Sequence, residues 1–162
     1  MIVLGVMKYS QITDDLFIGT TPYAEHYPEL REMGVSLVIN MRIERRPRPD
    51  PGSPPVRSLW LPTFDTPLLP IPLHVMERGA KAALQVIDTG GRVYVHCAAG
   101  RHRGVAMGAA ILIAQGHSAA EAMQLIKEQR PVADPYIWYI RRQIERFAQR
   151  WNALGSGHPA NG

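Results

Sequence analysis

The chain predicts an α/β fold with a central, mostly parallel sheet flanked by helices, and three observations predict it. Short β-branched runs alternate with segments of helical period. Strands come first, then strands alternating with helices, then helices alone, which is the order of an α/β domain. Gly34, the pair Gly90-Gly91 and the pair Ser118 and Glu121 punctuate the pattern where helices should stop or start.

The elements follow in order. Ile12 and residues 16–18 flank an Asp14-Asp15 turn, which predicts a hairpin. Residues 24–33 are helical in composition and stop at Gly34. Residues 35–41 (VSLVINM) and 56–61 predict strands. Met76, Ala80, Ala83, Leu84 and Ile87 place a helix over 74–88, and residues 92–96 (RVYVH) are the next strand. Residues 104–115 are apolar nearly all round, the mark of a buried central helix. Ser118 and Glu121 fit a capping box, and Asp134-Pro135 is expected to cap the last helix. That helix carries a stripe of Ile137, Ile140, Ile144, Phe147 and Trp151.

The 162 residues, 46% of them hydrophobic, suit one domain, expected over 1–151. Residues 45–55 (RRPRPDPGSPP) read as a loop, and 152–162 as a disordered tail. No apolar run is long enough to span a membrane, and the opening segment lacks the pattern of a signal peptide. A single cysteine, Cys97, excludes an internal disulfide, and the expected compartment is the cytoplasm. The net charge of +4 suits an anionic substrate. No metal-ligand cluster is apparent, so no cofactor or metal is expected. The sequence leaves the oligomeric state open.

The informative stretch is VYVHCAAGRHRG, residues 93–104. A buried strand runs into a short loop and the loop into a buried helix. Backbone N–H groups of Ala98, Ala99, Gly100, Arg101, His102 and Arg103 and the helix N-terminus then converge on one point, which binds phosphate well. Arg103 offers a planar fork that matches phosphate oxygens. The same positive field favours the Cys97 thiolate. A thiolate beside a bound phosphate is a nucleophile in place for phosphoryl transfer. A sealed, merely packed cysteine is the alternative, but Arg101, His102 and Arg103 are costly company for one.

His96-Cys97-Ala98-Ala99-Gly100-Arg101-His102-Arg103 resembles the His-Cys-x5-Arg signature of protein tyrosine and dual-specificity phosphatases. The resemblance runs from residues 12–19 through 34–40 to Arg130-Pro131, and looks like the compact, atypical dual-specificity branch. It implies a dual-specificity phosphatase-like fold and a phosphocysteine intermediate, with Cys97 as nucleophile and Arg103 as phosphate clamp. It implies a general acid about thirty residues before the cysteine. Asp65 lies 97 − 65 = 32 positions upstream, on a loop after a strand; its plainer reading is a turn cap beside Pro67. Asp50, in a loop expected to be disordered, Asp88, at a helix end, and Asp134, at a helix start, each have a sufficient local explanation. His96 is implied to tune the cysteine through the loop's hydrogen bonds, though a satisfied strand-end histidine fits equally well. Asn40 either hydrogen-bonds the phosphate loop or closes its own strand. Arg42, Arg45, Arg46 and Arg48 form a basic run, either a solvated loop or a border of the pocket. Relatives place Ser or Thr after the signature arginine to stabilise the departing thiolate; Gly104 stands there in this chain.

The expected function is hydrolysis of phosphate monoesters, on phosphotyrosine and phosphoserine or phosphothreonine proteins. Basic Arg101 and His102 also resemble members acting on phosphoinositides or RNA 5′-phosphates, but no aromatic platform argues for nucleic acid. With Gly104, a slow-turnover phosphate-binding module is the reading from another class. Arg103 and Asp65 favour phosphate chemistry over a rhodanese-like sulfur carrier.

Overall fold

The computed structural model describes residues 6–156. Among them, five strands form one sheet in the order β1-β2-β5-β3-β4. β1 (Tyr9–Gln11) and β2 (Leu16–Gly19) are the antiparallel hairpin. β3 (Val35–Arg42), β4 (Arg57–Thr63) and β5 (Arg92–His96) complete the sheet through parallel pairings. β5 sits between β2 and β3, so Cys97 emerges where the parallel strands end, the edge at which open α/β sheets hold their ligands.

Alternation of side chains across the sheet explains why its strands read as unbroken apolar runs. Leu16, Ile18, Leu37, Ile39, Val93 and Val95 enter one core. Phe17, Val38 and Tyr94 enter the other, smaller one. A 3-10 turn (Ala24–His26) and α1 (Tyr27–Glu32) cover the smaller core through Tyr27 and Leu30. α2 (Leu73–Asp88), α3 (Arg103–Ala114), α4 (Ala119–Gln129) and α5 (Trp138–Ser156) cover the larger.

α3 is the expected central helix, with every residue from Arg103 to Ile113 buried. Truncating one such side chain typically costs about 2–5 kcal/mol, so α3 is a stiff mount for whatever its first turn carries. The predicted capping box opens α4: Glu121 N–H donates to Ser118 Oγ (3.1 Å), and Ser118 N–H to Glu121 Oε1 (3.2 Å). No helix among the described residues is long and apolar enough to cross a membrane.

Three expectations are corrected. Asp134-Pro135 does not open the last helix, which begins at Trp138. The Asp134 N–H donates instead to the Arg101 carbonyl (3.0 Å), which draws this segment toward the loop after β5. The helix also continues past 151 to Ser156, because no proline or capping glycine stands at 152–154 to stop it; residues 157–162 of the expected tail lie outside the described residues. Finally, Asp50 does not sit in a disordered loop. Its carboxylate is paired with Arg31 and accepts from Gly52 N–H (2.9 Å) and Val56 N–H (2.8 Å). The Arg31 guanidinium, with help from those amides, holds it at about 2, below the usual carboxylate range.

Candidate active site

Residues 97–102 form a tight loop between β5 and α3. Gly100 makes the turn possible: its φ is +64°, and a Cβ there would lie 2.8 Å from the Gly19 carbonyl oxygen and 2.8 Å from Arg130 Nη2.

The loop's carbonyls are claimed from outside. Thr21 Oγ1 donates to Cys97 O (3.3 Å). Arg130, buried at the C-terminal cap of α4, donates from Nη2 to Ala99 O (3.1 Å) and from Nε to Gly100 O (2.8 Å). Its Nη1 reaches Ser10 Oγ (3.1 Å), tying the loop to the hairpin. Asp134 N–H takes Arg101 O, and Ala106 N–H takes His102 O as α3 begins. In a trans peptide, C=O and the following N–H point in opposite directions. Each carbonyl turned outward therefore aims the next N–H inward: those of Ala98, Gly100, Arg101, His102 and Arg103. Acceptors at the back and donors at the front make an anion cradle.

Arg103 opens α3 and is 5% exposed. Its Nη1 donates to Thr63 O (2.8 Å) and Glu44 Oε2 (3.0 Å), and its Nη2 to Glu44 Oε1 (2.8 Å). That bidentate contact is the main reason Glu44 titrates at about 2. Arg103 Nε is buried and has no partner among the described residues. An unmet charged donor of this kind marks a place for an incoming acceptor.

Asp65 lies on the loop after β4. Its Oδ1 accepts from Tyr139 Oη (2.8 Å), and its Oδ2 lies 3.0 Å from His102 Nδ1. Asp65, Cys97, Ala98, Ala99, Arg101, His102 and Arg103 line one pocket of about 180 Å³. The fold thus brings together residues 32 positions apart that the sequence reading had paired.

The remaining expected residues sit behind or beside this pocket. His96 is 2% exposed, and burial drives it down to about 3, so the ring is neutral. Asn40 does not reach the phosphate loop through any of its hydrogen bonds. Oδ1 accepts from Arg42 N–H (2.8 Å) and Nδ2 donates to Arg45 O (2.8 Å), which closes the end of β3. That turn carries Glu44. Gly104 stands in the first turn of α3, where a Cβ would be 3.5 Å from Cys97 Sγ. Arg101 is exposed at the rim, with Nε donating to Val132 O (3.2 Å). In the basic run, Arg45 stacks on Tyr23 and Arg46 on Trp60, while Arg42 bridges Thr21 and Glu44.

Glu44, Arg130, Thr21 and Tyr139 were not singled out from the sequence. Glu44 lay hidden among arginines, and the other three contact the loop from distant segments. The one available signal was the Arg130-Pro131 pair, on which the resemblance ends.

Known proteins share this chain's sequence and fold. The family profile of the dual specificity phosphatase catalytic domain matches residues 16–149. Human dual specificity phosphatase 28 is 32% identical over 155 residues, covering 94% of this chain and 86% of the relative. The crystal structure of human DUSP28 superposes with a TM-score of 0.77 at 30% identity, over 89% of this chain and 95% of that one. PTPMT1 in complex with PI(5)P superposes with a TM-score of 0.78 at 25% identity, over 91% and 98%. The chain therefore belongs to the atypical dual-specificity phosphatases of the cysteine-dependent protein tyrosine phosphatase superfamily.

Proposed function

We propose that the chain hydrolyses phosphate monoesters on phosphotyrosine and phosphoserine or phosphothreonine proteins through a phosphocysteine at Cys97. One observation carries the assignment of residues: Cys97, Arg103 and Asp65 line a single pocket at the end of the central strand. Substrate phosphate oxygens take the inward loop amides and Arg103 Nε. The Cys97 thiolate attacks phosphorus, and the leaving oxygen departs with the proton of Asp65. Water then attacks the phosphocysteine, with Asp65 accepting its proton, and the thiolate is released.

The test is Cys97→Ser. It should lower turnover of aryl phosphates by on the order of 10⁴-fold or more, as loss of an essential nucleophile does. Binding of inorganic phosphate should persist, and the variant should retain phosphorylated substrate in a pull-down. Substantial residual hydrolysis would remove Cys97 from this role.

A phosphoinositide substrate is the second reading. The PTPMT1 complex with PI(5)P favours it. So do Phe64, Leu68 and Leu69, which lie exposed on the Asp65 loop as an apolar lip. Parallel kcat/KM measurements on phosphopeptides and on phosphoinositides in mixed micelles separate the two.

A further inference from the structure

At the mouth of the pocket three elements meet on one carboxylate. Asp65 comes from the loop after β4, His102 from the phosphate loop and Tyr139 from the first turn of α5. Asp65 Oδ2 lies 3.0 Å from His102 Nδ1, Asp65 Oδ1 lies 2.8 Å from Tyr139 Oη, and Tyr139 Oη lies 3.4 Å from His102 Nδ1. The His102 and Tyr139 rings pack edge to face, 5.9 Å between centroids. Both carboxylate oxygens are thus held, from two sides, by groups outside the Asp65 loop.

The hydrogen positions follow from the partners. While Asp65 is ionised its oxygens only accept, so in that state His102 Nδ1 carries the hydrogen of their contact. His102 Nε2 is buried with no partner among the described residues. Tyr139 is pushed up to about 12, by burial first and then by its bond to Asp65, so its hydroxyl stays a donor. The other charged groups bearing on Tyr139 are Asp134 and Arg103; Cys97, Arg101 and Arg103 line the pocket beside His102.

We propose that His102 and Tyr139 are positioning residues that hold the Asp65 carboxyl over the Cys97 pocket, aimed at the leaving oxygen. A protonated carboxyl keeps acceptor capacity on its oxygens, so both contacts survive while Asp65 carries the proton it will give. In the step itself the Cys97 sulfur pair forms the S–P bond. The P–O bond breaks with its pair on the leaving oxygen, and that oxygen takes the Asp65 proton. His102 and Tyr139 keep their own protons throughout. They supply orientation, on which proximity effects depend steeply. The inference rests on the acid role of Asp65 proposed above.

The experiment compares phenyl phosphate, whose leaving group needs a proton, with 2,4-dinitrophenyl phosphate, whose leaving group does not. His102→Ala should lower kcat on phenyl phosphate roughly 10- to 100-fold, the worth of a hydrogen bond to a charged group. KM and the rate on dinitrophenyl phosphate should barely move. His102→Asn, whose amide N–H stands near the position of Nδ1–H, should recover most of the loss with an unchanged pH profile. Tyr139→Phe should show a smaller loss of the same pattern. In the Asp65→Asn background, His102→Ala should add nothing, because residues acting through one group are not additive. Three results overturn the inference while leaving Asp65 its role: His102→Ala with full kcat beside an impaired Asp65→Asn, additive losses, or equal losses on both substrates with a raised KM. The last would make His102 a phosphate contact. An unimpaired Asp65→Asn would instead remove the acid reading, and this inference with it.

Discussion

The floor and the mouth of the same pocket are built by opposite means. At the floor, Arg130 and Arg103 are each 5% exposed and Thr21 is 7% exposed. Their partners are mostly backbone carbonyls: Cys97, Ala99 and Gly100 for the loop, and Thr63 for Arg103. At the mouth, Asp65 is about a third exposed and is held by two other side chains. An oxyanion site gains from fixed dipoles that need not reorganise when charge arrives. A proton donor gives its proton to the leaving oxygen and regains one from the attacking water in each turnover, so it stays within reach of water. The floor is therefore part of the fold's stability, whereas the mouth hangs on it.

Substitution at the mouth should separate those roles most sharply. Asp65→Asn should lower kcat on phenyl phosphate by roughly 10²–10⁴-fold, the usual yield of a general acid. The melting temperature should change little, since Asn can still accept from Tyr139. A thermal-shift assay beside the kinetics checks both halves; a folded variant with wild-type kcat would end the acid assignment.

At the floor the expected order reverses. Arg130→Ala leaves the buried Gly100 carbonyl unpaired, at a cost of about 1–3 kcal/mol, and frees the part-buried Ala99 carbonyl. Denaturant unfolding should report a loss of that size. Activity should fall in step, because the carbonyls that Arg130 holds outward are what turn the loop amides inward. A stable variant with a lowered kcat would show that Arg130 acts on chemistry alone and would blur the contrast.

Glu44 sits between the two regions, half exposed yet bonded to buried Arg103. Its folded value of about 2 lies below the ordinary 4.5. A depressed carboxylate contributes stability above its unfolded value and loses it as pH falls through the folded one. Wild type should thus exceed Glu44→Gln in stability near neutral pH. The gap should close as pH drops from about 4.5 toward 2. Exposure of Glu44 to solvent keeps the gap modest. Urea titrations at pH 7 and pH 3 test the sign; a gap that widens in acid would contradict it.

What the sequence revealed divides along the same line. Cys97 to Arg103 was legible because strand, loop and helix are contiguous, and local order alone puts thiol and guanidinium on one anion. β5 and α3 were legible because their neighbours bury them on every side. The last helix was misplaced because Asp134-Pro135 looks like a start, while the tertiary bond from Asp134 N–H to Arg101 O was invisible. Asp65 was found only through a resemblance in spacing. Glu44, Arg130, Tyr139 and Thr21 act across 59, 30, 74 and 76 positions respectively. Apart from the resemblance that ends on Arg130-Pro131, nothing local distinguishes them from a surface glutamate, a helix-end arginine, a core-facing tyrosine or a loop threonine.

The smallest expected effect lies on the floor, at Gly104 in the first turn of α3. Breakdown of a phosphocysteine expels the Cys97 thiolate, and a donor to that sulfur makes it a better leaving group. Glycine supplies none. A Cβ built at Gly104 would lie 3.4 Å from Cys97 N and 3.5 Å from Cys97 Sγ, ordinary contact distances, so a serine fits without moving the loop. From that Cβ its hydroxyl can turn to the sulfur. The change should not cost stability, since Ser is the better helix former by a few tenths of a kcal/mol. Removing one such donor from an oxyanion site costs about 2.7–4 kcal/mol. Nearby loop amides offset part of that here, so Gly104→Ser should raise the steady-state rate roughly 10-fold rather than by the full amount. Rapid mixing of the wild type with p-nitrophenyl phosphate should release a burst of nitrophenol near one equivalent, followed by slow turnover. In Gly104→Ser the burst should shrink as dephosphorylation stops limiting. A wild type without a burst, and a serine variant no faster than it, would mean that the loop amides alone stabilise the departing thiolate.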